Sequence, residues 1–340
     1  MINIADILQD PAFSVASLTE SIKLLPNTYS KVGKSGIFKQ EGINTRTVAL
    51  EYANGQLHLL GPKELGEPGS RTQQRGRKIR TFLVPHVPHD DTILAGNLIG
   101  SRAMGSTDPV RDVASVVNDK LQEMKARHDI THEWMMLGAV KGEILDGDGN
   151  LLYDLYKEFE ISKTTFEFDL KNPKFDVKQQ CISVCRHIEE NLLGDTYTQP
   201  MAWVDSVYFD AFTSHPNVEK AFLGWSAAQE AIGGDTRNGF KFGGLTLVEY
   251  NGTVPDSSGR PQKLIEKGCG HALPLGTMNS FRAYDAPGDF LEAVGTKGEP
   301  YYAKIKNKDF DRGVDMHTQS NRLPLCLRPG VLAELRMKAI

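Results

Sequence analysis

The sequence carries no P-loop, no G-x-G-x-x-G fingerprint, no G-x-S-x-G elbow and no carboxylate pair at catalytic spacing. Nucleotide binding through a glycine loop and serine-hydrolase chemistry therefore have no recognisable seat. No run of 18 apolar residues is present, which excludes an apolar helix long enough to cross a bilayer. The opening MINIADILQDPAFSV lacks the basic-then-apolar layout of a secretion signal, so the expectation is a protein made in the cytosol. Internal repeats and low-complexity tracts are missing too. Cysteine is scarce, with four residues in 340. Cys181 and Cys185 stand one helical turn apart, a spacing that lacks the knuckle geometry of zinc ribbons, and buried reduced thiols are expected there.

The charge balance excludes a further class. Lys and Arg total 39 against 43 Asp and Glu, a formal net charge of -4. A chain of that balance is poorly suited to holding nucleic acid by counterion release. One stretch departs from it: RTQQRGRKIR places Arg71, Arg75, Arg77, Lys78 and Arg80 behind the flexible GPKELGEPGS. These residues suit phosphates or an acidic neighbour in a functional reading, and a solvated loop in a bland one.

Two metal motifs show up in ITHEWMMLGAVKGEILDGDGNLLYD, beginning at Ile130. His132-Glu133 opens the H-E-x-x-H zinc motif, with His128 nearby, but the fifth position is Met136, and a thioether does not replace the second imidazole. The expected alternative is a helix carrying this His and Glu outward. Asp146, Asp148, Asn150 and Asp154 fall on calcium-loop positions one, three, five and nine, but Leu151 replaces the turn glycine and Lys157 the bidentate glutamate. The Asp-Gly composition predicts a hairpin turn. His86 and His89 beside Asp90-Asp91 could take a metal, but Pro88 between them favours a solvated turn. No metal, cofactor or catalytic residue is assigned.

Along the chain, residues 1 to about 40 read as short mixed segments without a core of their own. TRTVALEYANGQLHLL predicts a hairpin across Asn54-Gly55, and KIRTFLVPHV a strand ending at Pro85 and Pro88. Together 45–88 form a two-stranded excursion that has too little core to stand alone. Thr107-Asp108-Pro109 starts a helix whose apolar stripe recurs at Val110, Val113, Val117, Leu121, Met124, His128 and Met135 and which stops near Gly138 or Gly142. VKGEIL and LLYDLYKEFEIS follow as paired strands. A second amphipathic helix is predicted over 175–193, ended by Gly194. Then come a strand and helix start in MAWVDSVYFDAFTSH, a helix in EKAFLGWSAAQEAI, a strand in FGGLTLVEY, a loop containing NGTVPDSSGRPQK and a β-rich tail.

That tail, in ALPLGTMNSFRAYDAPGDFLEAVGTKGEPYYAKI and QSNRLPLCLRPGVLAELRM, resembles the lambda-type major capsid proteins of tailed bacteriophages, the capsid protein E family. The family's closing Q-S-x-P-L pattern is matched except that Arg322-Leu323 intervenes before Pro324. RHDITHEWMMLGAVKGEILDGDGNLLYD is similar to its helix-then-hairpin junction.

The resemblance implies an α+β protein of the Hong Kong 97-type phage capsid fold. Its parts would be an N-terminal arm (1–40), an extended β-ribbon loop (41–88) and a peripheral domain (89–190) with a spine helix at about 107–140. An axial domain (191–310) and C-terminal strands returning to the peripheral domain (311–340) complete it. It further implies self-assembly into pentamers and hexamers of an icosahedral head that encloses double-stranded DNA without reading its sequence. Scaffold, portal and decoration proteins would be its partners, with no membrane and no enzymatic role. Such a chain is made in the host cytoplasm and ends in the virion. In this reading Arg71, Arg75, Arg77, Lys78 and Arg80 touch an adjacent subunit. Lys63 lies in the loop, but no matching Asn and Glu pick themselves out, so no crosslinking residues are assigned. The alternatives are a metal-dependent hydrolase using His132-Glu133, a nucleic-acid binder working through 71–80, and a protein-shell compartment subunit of the same fold.

Overall fold

The apolar stripe that starts at Pro109 becomes one unbroken α-helix, Pro109–Lys141, of 33 residues. At 1.5 Å per residue it is about 50 Å long. No proline interrupts it, and Gly138 inside it is required by packing: a Cβ there would lie 2.7 Å from the Glu143 carbonyl oxygen. The helix stops where Gly142 takes φ +85°, with the Tyr156 ring occupying the space a side chain would need.

The computed structural model describes residues 14–24, 31–52, 78–96, 109–231, 234–255 and 260–338. The expected Asn54-Gly55 turn lies outside them, although Thr47–Tyr52 and Lys78–Leu83 do pair as a two-stranded sheet. Contacts divide the chain into two units, one of 1–48, 81–133 and 283–324, the other of 49–80, 134–282 and 325–340.

The first unit holds an antiparallel sheet in the order Tyr302–Asn307, Gly313–Ser320, Val87–Leu94. The strand expected to end at Pro85 and Pro88 ends instead at Leu83. A new strand then runs from Val87 through Pro88, which stands opposite Gln319. Proline is tolerated there because the strand is an edge, where a missing N–H leaves no ladder bond unmade. The helix Val15–Leu24, unforeseen in the amino-terminal segment, places Leu18 and Ile22 in one cluster with Ile93, Val117, Leu121, Met124, Ala303, Val314 and Met316. All nine are buried.

In the second unit a six-stranded mixed sheet runs Thr165–Phe168, Ala333–Met337, Cys269–Leu275, Gln199–Val204, Leu245–Glu249, Asn238–Phe242. Helices Val177–Asn191, Ser206–Thr213 and Pro216–Ala231 supply the rest of this unit's core. The first two begin at carboxylate caps: Asp176 accepts from Gln179 N and Asp205 from Val207 N. Phe168, Tyr208, Phe212 and Phe240 are fully buried among them, packed edge-to-face or stacked. Gly243 and Gly244, both at positive φ, turn Asn238–Phe242 into Leu245–Glu249. The first of these strands was not anticipated, nor was the small pairing of Thr253–Pro255 with Pro261–Lys263 inside an expected loop. The four cysteines are free, three of them buried, and burial pushes the Cys326 thiol up to about 12.

Candidate metal and assembly sites

Residues Lys125, His128, Asp129, His132 and Glu133 recur at steps of three, one, three and one, so they share one helical face with Leu121 and Met124. All five are buried, which corrects the expectation that His132 and Glu133 point outward. Four of them are hydrogen-bonded within the unit, and the Lys125 ammonium lies 5.2 Å from the Tyr301 ring centre. The Glu133 carboxylate accepts backbone N–H bonds from Lys31 at 2.9 Å, Val32 at 2.8 Å and Gly33 at 3.2 Å. It thus satisfies amides at the start of the short helix Lys31–Lys34, which has no carboxylate of its own in its first turn.

His128 Nε2 lies 3.0 Å from Thr318 Oγ1, and His132 Nε2 lies 2.7 Å from Ser320 Oγ. Both hydroxyls already give their proton to carbonyls, Thr318 to His89 and Ser320 to Pro300. The imidazoles therefore donate from Nε2. Burial disfavours their charged form: it lowers His128 to about 4 and His132 well below the ordinary histidine range. Tyr301 donates its hydroxyl proton to Asp129, whose carboxyl burial raises. Next to this group, Arg322 makes a two-pronged ion pair with Asp285, 2.7 Å from Nε and 2.9 Å from Nη2, with both residues buried. Among the described residues no group of three His, Cys, Asp or Glu side chains converges as a metal site. The residues named by the hydrolase alternative are thus occupied as structural partners. Replacing Glu133 with Gln is expected to cost about 1–2 kcal/mol in urea unfolding, since a neutral amide keeps some of the N–H bonds but loses their charge assistance.

The other candidates are resolved just as locally. Asp146 turns its carboxylate onto Asp148 N, Asn150 N and Asn150 Nδ2, a hairpin turn closed on itself between Glu143–Leu145 and Leu151–Asp154. Asp154 caps a four-residue helix, Leu155–Glu158, so the strand expected to run on through LYKEFEIS ends there. His86 bonds Asn321, Asp90 bonds His317, and Asp91 pairs with Lys120 at 2.8 Å, which separates the cluster suspected of metal binding.

Of the five basic residues, Arg71, Arg75 and Arg77 lie outside the described residues. Lys78 begins the strand Lys78–Leu83. Arg80 reaches Glu160 at 3.1 Å and Glu158 at 3.7 Å, with its guanidinium 5.8 Å from the Phe159 ring centre.

No helix among the described residues is long and apolar enough to cross a membrane. Comparison with known proteins returns one consistent result. The major capsid proteins of Salmonella phage Felix O1 and Pseudomonas phage KPP10 are 29% and 28% identical to it. The first alignment covers 96% of this chain and 97% of the relative, the second 95% and 96%. A solved structure described as the capsid protein of a prophage in E. coli CFT073 shares the fold, with a TM-score of 0.58 at 14% identity over 95% of this chain and 99% of that one. The family model described as phage major capsid protein E matches residues 14–337, and this chain, with its long helix and two α+β units, belongs to that family.

Proposed function

We propose that this chain is the major capsid protein of a phage head, self-assembling into the pentamers and hexamers of an icosahedral shell around double-stranded DNA. The observation that carries the reading is the family match running through both units, residues 14–337, and not through one of them alone. The fold proposed is of the Hong Kong 97 type. Residues 1–40 serve as the arm, 41–88 as the extended loop, 89–190 as the peripheral domain with Pro109–Lys141 as spine, 191–310 as the axial domain and 311–340 as the returning strands. The length and position of that helix and the pairing of Thr47–Tyr52 with Lys78–Leu83 support this division.

In the assembled state each subunit buries well over ~2,000 Å² against its neighbours. Arg71, Arg75, Arg77 and Lys78 belong to this contact as cations meeting acidic surface, where such charges set register more than affinity. Arg80 belongs to the same contact, beside the Glu158 and Glu160 of its own chain with which it pairs. A separate scaffold, a portal and a decoration protein are the further partners, and the protein, made in the host cytoplasm, is carried in the virion.

Negative-stain electron microscopy of the purified chain tests the reading. Shells, capsomers or polyheads are expected. A strictly monomeric protein across salt and concentration would overturn it.

A further inference from the structure

The chain contains three Asn-Gly pairs, at Asn54-Gly55, Asn238-Gly239 and Asn251-Gly252. Such a pair is chemically weak, because a following residue without a Cβ lets its own backbone nitrogen reach the carbonyl carbon of the asparagine side chain. In a folded protein the outcome depends on how the two residues are held. Asn54-Gly55 lies outside the described residues, which leaves two pairs to compare.

Asn238 opens the strand Asn238–Phe242 and stands opposite Val248 of Leu245–Glu249. Its backbone is fixed on both sides: Asn238 N donates to Asp235 O at 3.2 Å, and Glu249 N donates to Arg237 O at 3.0 Å. An extended chain held in a ladder directs each side chain away from the line of the strand, and so away from the next nitrogen.

Asn251-Gly252 is held differently. It belongs to no helix or strand and lies between Leu245–Glu249 and Thr253–Pro255. Asn251 is exposed, and its Nδ2 donates to the Glu249 carboxylate. Gly252 O accepts from Leu264 N at 3.0 Å, but among the described residues the Gly252 N–H has no acceptor. The attacking nitrogen is thus unengaged and the carbon it attacks is accessible. The glycine itself has a packing cause: a Cβ there would lie 2.6 Å from Leu264 Cδ1 and 2.8 Å from Tyr250 Cε1, so no larger residue fits behind Asn251.

We propose that Asn251 is a site of spontaneous deamidation and that it reacts ahead of Asn238. Gly252 N bonds to Asn251 Cγ, the Cγ–Nδ2 bond breaks, and the proton lost from the Gly252 N–H leaves with Nδ2 as ammonia. Water then opens the cyclic imide at either carbonyl, which gives aspartate or isoaspartate at this position. Solvent water is the only co-reactant. The product sets a carboxylate against Glu249 where an amide had donated. Isoaspartate also lengthens the main chain between Tyr250, buried beside Trp203, and Gly252, which is wedged against Leu264.

The test uses the full-length folded protein, kept warm at mildly alkaline pH in water enriched in heavy oxygen, with its peptides mapped over time. Label is expected at position 251 several-fold faster than at position 238, with isoaspartate as the major product. In Asn251→Gln protein, whose longer side chain closes its ring far more slowly, position 251 should stay unlabelled over the same period. Equal rates at 238 and 251 overturn the proposal. So does a position 251 that stays unlabelled in folded protein while the same peptide from urea-unfolded protein takes up label. Labelling of Asn251→Gln at the wild-type rate overturns the ring-closing route. The reaction needs only the folded chain, so its failure leaves the shell reading untouched.

Discussion

An Arg322→Met chain is expected to unfold about 3–5 kcal/mol more easily than wild type at pH 7, because the substitution strands a buried carboxylate. Asp285 faces Arg322 through two bonds of 2.7 and 2.9 Å, and neither residue has useful access to water. Burial already raises the Asp285 carboxyl against the pull of that guanidinium. With the guanidinium gone the carboxyl takes up a proton more readily still, so the deficit should narrow as the pH falls toward the carboxylate range. Replacing both partners, Asp285→Leu with Arg322→Met, should recover most of the loss, since a paired charge contributes little beyond what a packed apolar pair supplies. Urea unfolding of the two variants and the wild type at pH 7 and pH 5 measures all of this. A single variant as stable as wild type would show that water or another group already compensates Asp285.

The second large effect is acid sensitivity from His128. The imidazole is buried, with Thr318 on one side and the rings of His89 and His317 contributing like charge when protonated. Burial holds its folded pKa at about 4, against 6.5 for the free side chain. Between those values the unfolded chain binds the proton and the folded chain does not. The stability this residue contributes is therefore complete above about pH 6.5 and is lost as the pH falls toward 4. A shift of this size corresponds to about 3 kcal/mol. Asp129 and Asp285, both raised by burial, act in the opposite direction at the acidic end, and His132 acts in the same direction. All three remain in a His128→Gln variant, so the difference between the two pH slopes isolates His128. Equal slopes for wild type and variant would mean that His128 takes up its proton in the folded chain as easily as in the unfolded one.

The elements with local causes were legible in the sequence. The long helix carries its start in Thr107-Asp108-Pro109 and its stop in Gly142, and the structure runs from Pro109 to Lys141. The Asp146 turn is written in five adjacent residues, whose side-chain bonds run from Asp146 to Asp148 and Asn150. What failed has distant causes. The spacing that marks Leu121 and Met124 as buried continues through His128 and His132, so burial of the histidines could have been read from period alone. Their partners, Thr318 and Ser320, lie 190 and 188 positions away. Glu133 looked like chemistry because the amides it caps are about a hundred residues upstream. Arg322 was visible as a departure from the family pattern, but nothing nearby names Asp285 as its partner. Asn238–Phe242 was missed because FGGLTLVEY reads as a single strand, whereas Gly243 and Gly244 turn the chain between two.

The order of strands in the six-stranded sheet has a consequence in time. Thr165–Phe168 is an outer strand whose one neighbour is Ala333–Met337, joined in parallel, and that neighbour is synthesised after every other strand of the sheet. Until it arrives, Cys269–Leu275 is an open edge and Thr165–Phe168 has no ladder at all. A ribosome-bound chain, or one broken off before residue 333, thus presents an unfinished sheet. Pairings of such long sequence separation also form slowly once the chain is free. Late closure thus makes the integrity of this unit depend on its last strand: without Ala333–Met337 the strands on either side of it have nothing to join them.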